Sequence, residues 1–190
     1  MNAVLSEVPG IDGEAAEIAR MRELFDLQRK AFDAAPFPDH ASRKANLRKL
    51  IAALQKHQND IVVAVNADFG VRAGAETKLV EVMGPILEAH HCLSHMRKWM
   101  KPRRRSTELL FLTNSAWVAY QPKGVVGIIG TWNFPVYLTL GPLVAALAAG
   151  NRAIIKTSEF APRTTAILRK LLAECFSEDE VAVVGGAVES

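Results

Sequence analysis

Asn133, Lys156 and Glu159 are the side chains whose type and spacing could do chemistry. Asn133 follows the apolar run Val125–Ile129, while Lys156 and Glu159 follow a second apolar run, Ala153–Ile155. An asparagine amide donates two hydrogen bonds and does not titrate, so it can stabilise a developing oxyanion. Asparagine is also a favoured N-terminal cap of helices, and the spacing alone leaves both interpretations open.

Lys156 and Glu159 each have a structural and a functional interpretation. A lysine directly after a buried strand is either a solvated strand end or a donor to a ribose hydroxyl or phosphate. A glutamate three residues later either favours the start of the next helix or accepts from ribose hydroxyls. Singly each favours the structural interpretation, and the pair beside Asn133 brings the two interpretations to equal weight.

The elements that would position these residues form a βαβ unit. An apolar run without polar alternation predicts a strand buried on both faces, as in a parallel sheet. Between the two strands, Pro135–Ala149 predicts an apolar helix, with Pro135 as its first residue and Gly150 just past its end. Ligands of such sheets bind at the carboxyl ends of the strands. Neighbouring strands lie about 5 Å apart, so Asn133 and Lys156 are expected to line one crevice.

The rest of the second half continues the pattern. Pro162 opens a predicted helix over Arg163–Cys175, and Val181–Val184 predicts a third strand. We expect an α/β fold with an incomplete Rossmann-like parallel sheet, one half of a doubly wound sheet that normally has two. The sequence ends before a further helix could cover the sheet, which predicts an N-terminal piece of a longer protein. The alternative is a small domain completed by a partner.

The first half predicts helices and then a hairpin. Residues 1–12 are expected to be loose, and Pro85 is expected to kink or start a helix within the third helical stretch. Glu108–Tyr120 is rich in β-formers around a Thr-Asn-Ser turn and predicts a hairpin that could pair subunits. The predicted helices are Gly13–Ala34, about Ala41–Ala67 and about Glu76–Met100. The predicted divisions are a helical region at 1–106, a hairpin at 107–122 and a nucleotide-binding part at 123–190.

Bulk properties exclude several classes of protein. The chain has 190 residues, 49% hydrophobic and 23% charged, with a net charge of +3. This charge is too small to indicate a nucleic-acid partner, and the short run Lys101–Arg105 is read as a solvated loop. The longest apolar stretch, Val136–Ala149, falls short of the roughly 20 residues that cross a bilayer. The first residues lack the features of a signal peptide, so we expect a cytoplasmic protein without membrane or nucleic-acid partners.

Other reactive residues favour structural roles. Two cysteines, Cys92 and Cys175, form no disulfide framework and have no base near them in sequence. His91 and His95 lie four residues apart on a predicted helix, but without a third ligand we expect no metal site. The chain has no GxGxxG, GxxxxGK[ST] or GxSxG motif.

The segment PKGVVGIIGTWNFPVYLTLGPLVAALAAGNRAIIKTSEFAPRT resembles the aldehyde dehydrogenase superfamily. The shared features are a strand, WNFP, an apolar helix, AAGN, a second strand and a K-x-S-E loop. The helical first half with RKWMKPRR resembles the class 3-like branch, which includes fatty, benzaldehyde-type and coniferyl aldehyde enzymes, the last being the nearest. The resemblance runs from about Arg20 to the end.

The resemblance implies roles for individual residues. Asn133 would be the side-chain donor to the oxyanion that forms when a cysteine thiolate attacks an aldehyde. Hydride then passes to a nicotinamide cofactor, and water activated by a glutamate releases the acid. The adenosine ribose of NAD(P) would be bound by Lys156 and Glu159. The backbone at Gly130, Thr131 and Trp132 would also contact the cofactor.

The resemblance also implies NAD as first choice, because the Glu159 carboxylate should repel a 2′-phosphate, with NADP as an alternative. The family's nucleophilic cysteine, its glutamate base and the glycine-containing turn at the pyrophosphate lie downstream of the matched segment. We therefore expect these 190 residues alone to be inactive, and a homo-oligomer in the complete protein. The alternative is a non-catalytic, truncated nucleotide-binding or subunit-interaction domain.

Overall fold

A computed structural model of the chain describes residues 11–185. The predicted loose start, residues 1–12, lies almost entirely outside the described residues. The first half is helical up to Trp99 and is followed by two short strands, and a βαβαβ unit forms the second half. The helices are α1 Ile11–Ala34, α2 His40–Phe69, the single turn α3 Gly74–Glu76, α4 Met83–Trp99, α5 Tyr137–Ala149 and α6 Pro162–Cys175. The strands are β1 Arg103–Arg105, β2 Ala116–Val118, β3 Val125–Ile129, β4 Arg152–Lys156 and β5 Val181–Val184.

The parallel sheet has the order β3-β4-β5, so the two strands that precede the candidate residues are direct neighbours. Val126 pairs with Ala153, and Ile129 pairs with Lys156. The expected α/β class with an incomplete Rossmann-like sheet is confirmed, and β3 and β5 lie where the apolar runs predict them. The helices dominate the fold because the whole first half is helical up to Trp99.

Successive side chains of β4 point to opposite faces of the sheet, and both faces are buried. On β4, Ala153 and Ile155 pack into the large core with α2, α4, α5 and α6. Ile154 points to the opposite face and packs with Leu24 of α1. Four layers result: α1, the sheet, the pair α5 and α6, and the pair α2 and α4.

Helix α1 covers the sheet face that we expected a missing later helix to cover. Leu24 and Gln28 are buried, and the amide of Gln28 donates to the backbone oxygens of Ala153 (3.0 Å) and Glu178 (2.9 Å). Hydrophobic spacing indicated that the helix exists, but it could not show which surface the helix covers. Ile18 and Phe25, two further hydrophobic residues of α1, are 42% and 47% exposed.

A wide helical turn precedes Pro85, which itself lies in the first turn of α4, so of the two predictions, a kink or a helix start near Pro85, the helix start agrees with the structure. Thr77–Val82 is π-helical, and the N–H of Met83 bonds to the oxygen of Lys78, five residues back. The disturbance therefore precedes the proline. Glu81, the lone charge in the apolar segment LVEVMGP, lies in this turn and is fully buried. Such wide turns are frequent at functional sites.

The apolar helix α5 starts at Tyr137, two residues after the predicted start at Pro135. It ends as expected at Gly150, whose φ of 84° is left-handed. Arg43 of α2 donates to the last carbonyls of the helix, Ala148 (3.2 Å) and Ala149 (2.8 Å). A side chain at Gly150 would collide with this guanidinium.

The two-stranded ladder begins earlier than predicted. Arg103–Arg105 pairs with Ala116–Val118, so the basic run read as a solvated loop supplies one strand. Leu109–Phe111 forms a 3₁₀ turn between them. Both strands are mostly exposed. No helix among residues 11–185 is long and apolar enough to cross a bilayer.

The pH dependence of stability is predicted to depend on His57, which is buried between α2 and α6. Its ring nitrogens lie 3.0 Å from Asp60 Oδ2 and 3.0 Å from Glu174 Oε2. Hydrogen bonds to Asp60 and Glu174 raise the pKa of His57, and bonds from Lys56 and His57 lower the pKa of Glu174 to about 2. The stabilisation is therefore complete below the unfolded-state pKa of about 6.5 and is lost as pH rises through the folded-state pKa of His57.

His57→Gln should accordingly lower the free energy of unfolding by about 1–2 kcal/mol at pH 6, given partly exposed carboxylates, and by less at pH 9. Urea denaturation at both pH values measures this difference. The exposed His90→Gln is the matched control. An equal loss at both pH values would show that the charged form of His57 contributes nothing.

Candidate functional site

The carboxyl edge of the sheet brings the two candidate loops together. Because Ile129 pairs with Lys156, the residue after β3 lies beside the end of β4. The N–H of Gly130 donates to the oxygen of Lys156 at 2.8 Å, which extends the ladder by one bond. The chain from Thr131 to Asn133 and the chain from Lys156 to Glu159 thus leave the same edge, as the spacing predicted.

The Asn133 side chain is exposed and has a fixed orientation. The hydroxyl of Thr131 donates to Asn133 Oδ1 at 2.7 Å. Within residues 11–185, the Nδ2 group of Asn133 donates to no other protein atom. The oxygen is therefore held by the protein, while the Nδ2 group of this exposed side chain has no protein acceptor among the described residues and remains available to a ligand.

The cap of α5 is Glu81, and this excludes the alternative role of Asn133 as a helix cap. Glu81 Oε2 accepts from the N–H groups of Val136 (2.7 Å) and Tyr137 (3.3 Å). Burial raises the pKa of Glu81, and these two N–H groups and Arg72 act in the opposite direction. The other carboxylate oxygen accepts from Arg72 Nη1 at 2.8 Å.

Arg72 connects this buried carboxylate to the Asn133 loop. Its second terminal nitrogen, Nη2, donates to the backbone oxygen of Asn133 at 2.9 Å. The guanidinium lies over the rings of Phe69 (4.1 Å) and Phe134 (5.0 Å). A planar guanidinium that lies over two aromatic rings and is hydrogen-bonded through both terminal nitrogens has little freedom to move.

Lys156 and Glu159 form an ion pair at the second loop. Lys156 Nζ lies 2.8 Å from Glu159 Oε2, and their side chains are 18% and 34% exposed. The hydrogen bond from Lys156 lowers the pKa of Glu159, so the carboxylate is ionised at neutral pH. A neighbouring donor and acceptor of this kind match two adjacent hydroxyls.

A second buried carboxylate caps α6, so Glu159 is not needed for that purpose. Asp68, at the end of α2, accepts from the N–H groups of Arg163 (3.1 Å) and Thr164 (2.8 Å) and from the Thr164 hydroxyl (2.7 Å). Both crossover helices thus present a protein carboxylate where many nucleotide-binding folds place a phosphate. An anionic ligand at either helix start would meet like charge.

The residues between β3 and Asn133 differ in exposure. Gly130 is buried against Thr139, and a side chain at this position would overlap Thr139 Oγ1. Thr131 and Trp132 are exposed, Trp132 at 59%. The loop therefore leaves the sheet through a closely packed glycine and then opens to solvent.

The cysteines and histidines set aside earlier lie on other elements. Cys92 is buried in α4, Cys175 ends α6, and burial raises the pKa of both thiols. The rings of His91 and His95 stack at 4.2 Å on the exposed side of α4. Within the described part of the chain, no group of three or more His, Cys, Asp or Glu could hold a metal ion.

Comparison with known proteins identifies the family. The sequence profile described as "Aldehyde dehydrogenase family" matches residues 4–189. The chain belongs to the aldehyde dehydrogenase family. It is 43% identical to a probable coniferyl aldehyde dehydrogenase of Pseudomonas aeruginosa over 98% of this chain and 39% of that protein. It is 37% identical to the coniferyl aldehyde dehydrogenase of Pseudomonas sp. over 95% of this chain and 37% of that protein.

Solved structures agree with this aldehyde dehydrogenase assignment. The structure titled "Substrate bound state of Staphylococcus Aureus AldH" superposes with a TM-score of 0.84 at 27% identity, over 88% of this chain and 36% of that one. The chain thus spans less than two fifths of the length of these relatives. The resemblance to this family, and to its coniferyl aldehyde enzymes in particular, is confirmed.

Sequence reasoning did not find Arg72, Glu81 or Asp68. Glu81 was detectable in principle as a single charge inside an apolar segment, which signals a buried polar group with a partner. Asp68 and Arg72 flank the aromatic and glycine that end α2 and resemble ordinary surface residues there. Only the three-dimensional structure shows that they contact loops more than 60 residues away.

We predict that Gly130→Ala destabilises the chain by about 1–3 kcal/mol, because the added methyl group overpacks against Thr139. Thr139→Ala should relieve this overlap, so the double variant should be more stable than additivity of the single changes allows. Gly127→Ala is the control, since nothing lies within 4 Å of its added carbon. Thermal unfolding of the four variants measures the coupling, and strict additivity would contradict the proposed overlap.

Proposed function

We propose that this chain supplies the oxyanion donor and the adenosine-ribose anchors of an enzyme that oxidises an aldehyde to its carboxylic acid. The overall reaction is aldehyde, NAD⁺ and water to carboxylate, NADH and two protons. The observation that carries the proposal is the Asn133 amide, whose oxygen is held by Thr131 while its N–H bonds are open at the carboxyl edge of the sheet.

Asn133 would act on the aldehyde oxygen. Attack on the carbonyl carbon moves charge onto that oxygen, and a neutral amide can bind it without losing a proton of its own. Because Thr131 and Arg72 already hold the amide and its backbone, little reorganisation is needed when the charge develops. Neither cysteine of the chain is proposed as the attacking thiol, since burial raises the pKa of both.

The Lys156–Glu159 pair fits the ribose of a nicotinamide dinucleotide. The Glu159 carboxylate can accept from one ribose hydroxyl while Lys156 donates to its neighbour. The dinucleotide, when bound, supplies the hydride acceptor. We propose NAD as the preferred cofactor because the ionised Glu159 repels a 2′-phosphate, and NADP as the weaker alternative, bound through Lys156. Its pyrophosphate would lie away from the starts of α5 and α6, where Glu81 and Asp68 already cap the helices.

The remaining proposals concern substrate, assembly and domain organisation. Coniferyl aldehyde or another aromatic or aliphatic aldehyde is the proposed substrate, by similarity to the Pseudomonas relatives. Residues 107–122 are proposed to pair subunits of a homo-oligomer, with 1–106 as helical region and 123–190 as part of the cofactor domain. The exposed apolar side chains of the hairpin support this assignment: Leu109, Leu110, Phe111, Leu112, Trp117 and Tyr120.

The alternative is a function of a different class. In this case the same folded chain would be a non-catalytic nucleotide-binding or subunit-interaction domain. The experiment that separates the two is a chimaera in which this chain replaces the matching segment of the 43% identical Pseudomonas aeruginosa protein. Aldehyde-dependent NADH formation by the chimaera supports the enzyme. A folded chimaera that binds NAD and turns over nothing supports the alternative.

In the active chimaera, Asn133→Ala should lower kcat by roughly 10²–10³, as loss of an oxyanion donor does elsewhere. Steady-state formation of NADH measures it. Asn114→Ala, a change of the same kind in the hairpin, is the control and should leave kcat unchanged. The 190 residues assayed alone should form no NADH. A normal kcat for Asn133→Ala would contradict the assigned role.

Lys156→Ala should weaken NAD binding roughly 10- to 100-fold, the usual effect of losing a hydrogen bond to a charged group. Equilibrium titration of the chimaera with NADH tests this. The exposed Lys170→Ala has the same change of charge and should bind normally. If both variants bind NADH with equal affinity, Lys156 does not bind the cofactor.

A further inference from the structure

We propose that Arg72 and Glu81 are positioning residues that set the direction of the Asn133 amide. This inference rests on the proposed function, because it concerns the orientation of the oxyanion donor. Neither residue is hydrogen-bonded to Lys156 or Glu159, the proposed ribose anchors, and both lie in the helical first half of the chain.

The burial of Glu81 needs an explanation beyond packing. A fully buried carboxylate is costly unless it is paired and hydrogen-bonded. Here both oxygens are used: one accepts from the start of α5 and the other from Arg72. An asparagine or serine next to the helix would cap α5 without a buried charge. What Glu81 adds is a fixed anchor for the Arg72 guanidinium.

Arg72 connects the Glu81 carboxylate to the loop that carries Asn133. Gly70 ends α2 in the left-handed conformation (φ 78°), which turns the chain so that Arg72 leaves the helix. Its side chain is only 14% exposed, and its guanidinium lies over the rings of Phe69 and Phe134. The bond from Nη2 to the oxygen of Asn133 fixes the peptide plane from which the amide projects.

The consequence is a rigid chain of contacts from the π-helical turn to the amide. Thr131 fixes the rotation of the amide, and Arg72 fixes the backbone that carries it. Loss of the arginine should leave Asn133 present but displaced, and a displacement of about 1 Å at a catalytic group can cost on the order of 10²-fold in rate.

The test is a double-mutant cycle of Arg72 and Asn133 in the active chimaera. Arg72→Met keeps the apolar stem and should lower kcat roughly 10- to 100-fold, with a smaller change in the KM for aldehyde. In the Asn133→Ala background it should lower kcat no further, because the group that it positions is gone. A purely structural role would give the same loss in both backgrounds, and that result would overturn the proposal.

Conservative variants and a matched control keep the test decisive if Arg72→Met folds poorly. Arg72→Lys retains charge but loses the two-ended fork, and should recover part of kcat. Glu81→Gln in combination with Arg72→Met removes the unpaired charge while an oxygen still caps α5. Arg152→Met removes an arginine of similar exposure (18%) that pairs with Asp179 at the amino ends of the strands, and should lower stability without changing kcat.

The same variants distinguish failure of the proposed role of Asn133 from failure of the positioning role of Arg72 and Glu81. If Asn133→Ala leaves kcat unchanged, the proposed role of Asn133 fails. If Asn133→Ala lowers kcat while Arg72→Met and its combination with Glu81→Gln do not, the proposed role stands and the positioning inference is wrong.

Discussion

The capping of α5 by the buried carboxylate of Glu81 is the interaction on which the candidate site depends. The Glu81 oxygens accept hydrogen bonds from two backbone N–H groups and from the Arg72 guanidinium, and these bonds compensate for burial of the charge. Through Arg72 the same carboxylate also holds the loop that carries Asn133. One buried charge therefore fixes both the start of a core helix and the departure of a site loop from the sheet.

Asp68 repeats this arrangement one crossover later. It caps α6 from the end of α2, so the loop with Lys156 and Glu159 is also tied to the helical half. Many nucleotide-binding folds bring a phosphate to such helix starts, whereas here protein carboxylates occupy both. The helix starts therefore anchor the two loops, and the proposed ligand-binding groups are side chains that the loops carry.

The sequence predicted the parts of the fold that have local signals. The three parallel strands, the helices between them and the left-handed end at Gly150 follow from apolar runs, proline and glycine. The common edge of Asn133 and Lys156 follows from strand adjacency. The placement of α1 on the open sheet face did not follow, because periodicity shows that a helix has an apolar side but not what that side contacts. The ladder partner of β2 was missed since three consecutive arginines are untypical of a strand.

Within the candidate site, the sequence predicted only the side chains that directly follow the strands. Asn133, Lys156 and Glu159 stand immediately after buried strands, where polar residues attract attention. Arg72, Glu81 and Asp68 act from 61, 55 and 95 residues away along the chain, and no local pattern connects them to the site. The family match located the loops, whereas the contacts that hold them came from the structure.

The most direct test of the proposed site is a crystal structure of the chimaera with NAD and an aldehyde bound. We expect Asn133 Nδ2 to lie about 2.7–3.1 Å from the aldehyde-derived oxygen. We also expect Lys156 and Glu159 to contact the adenosine ribose and the Glu81–Arg72 pair to remain intact. An amide of Asn133 turned away from that oxygen, with the oxygen bound by other groups, would contradict the proposed site.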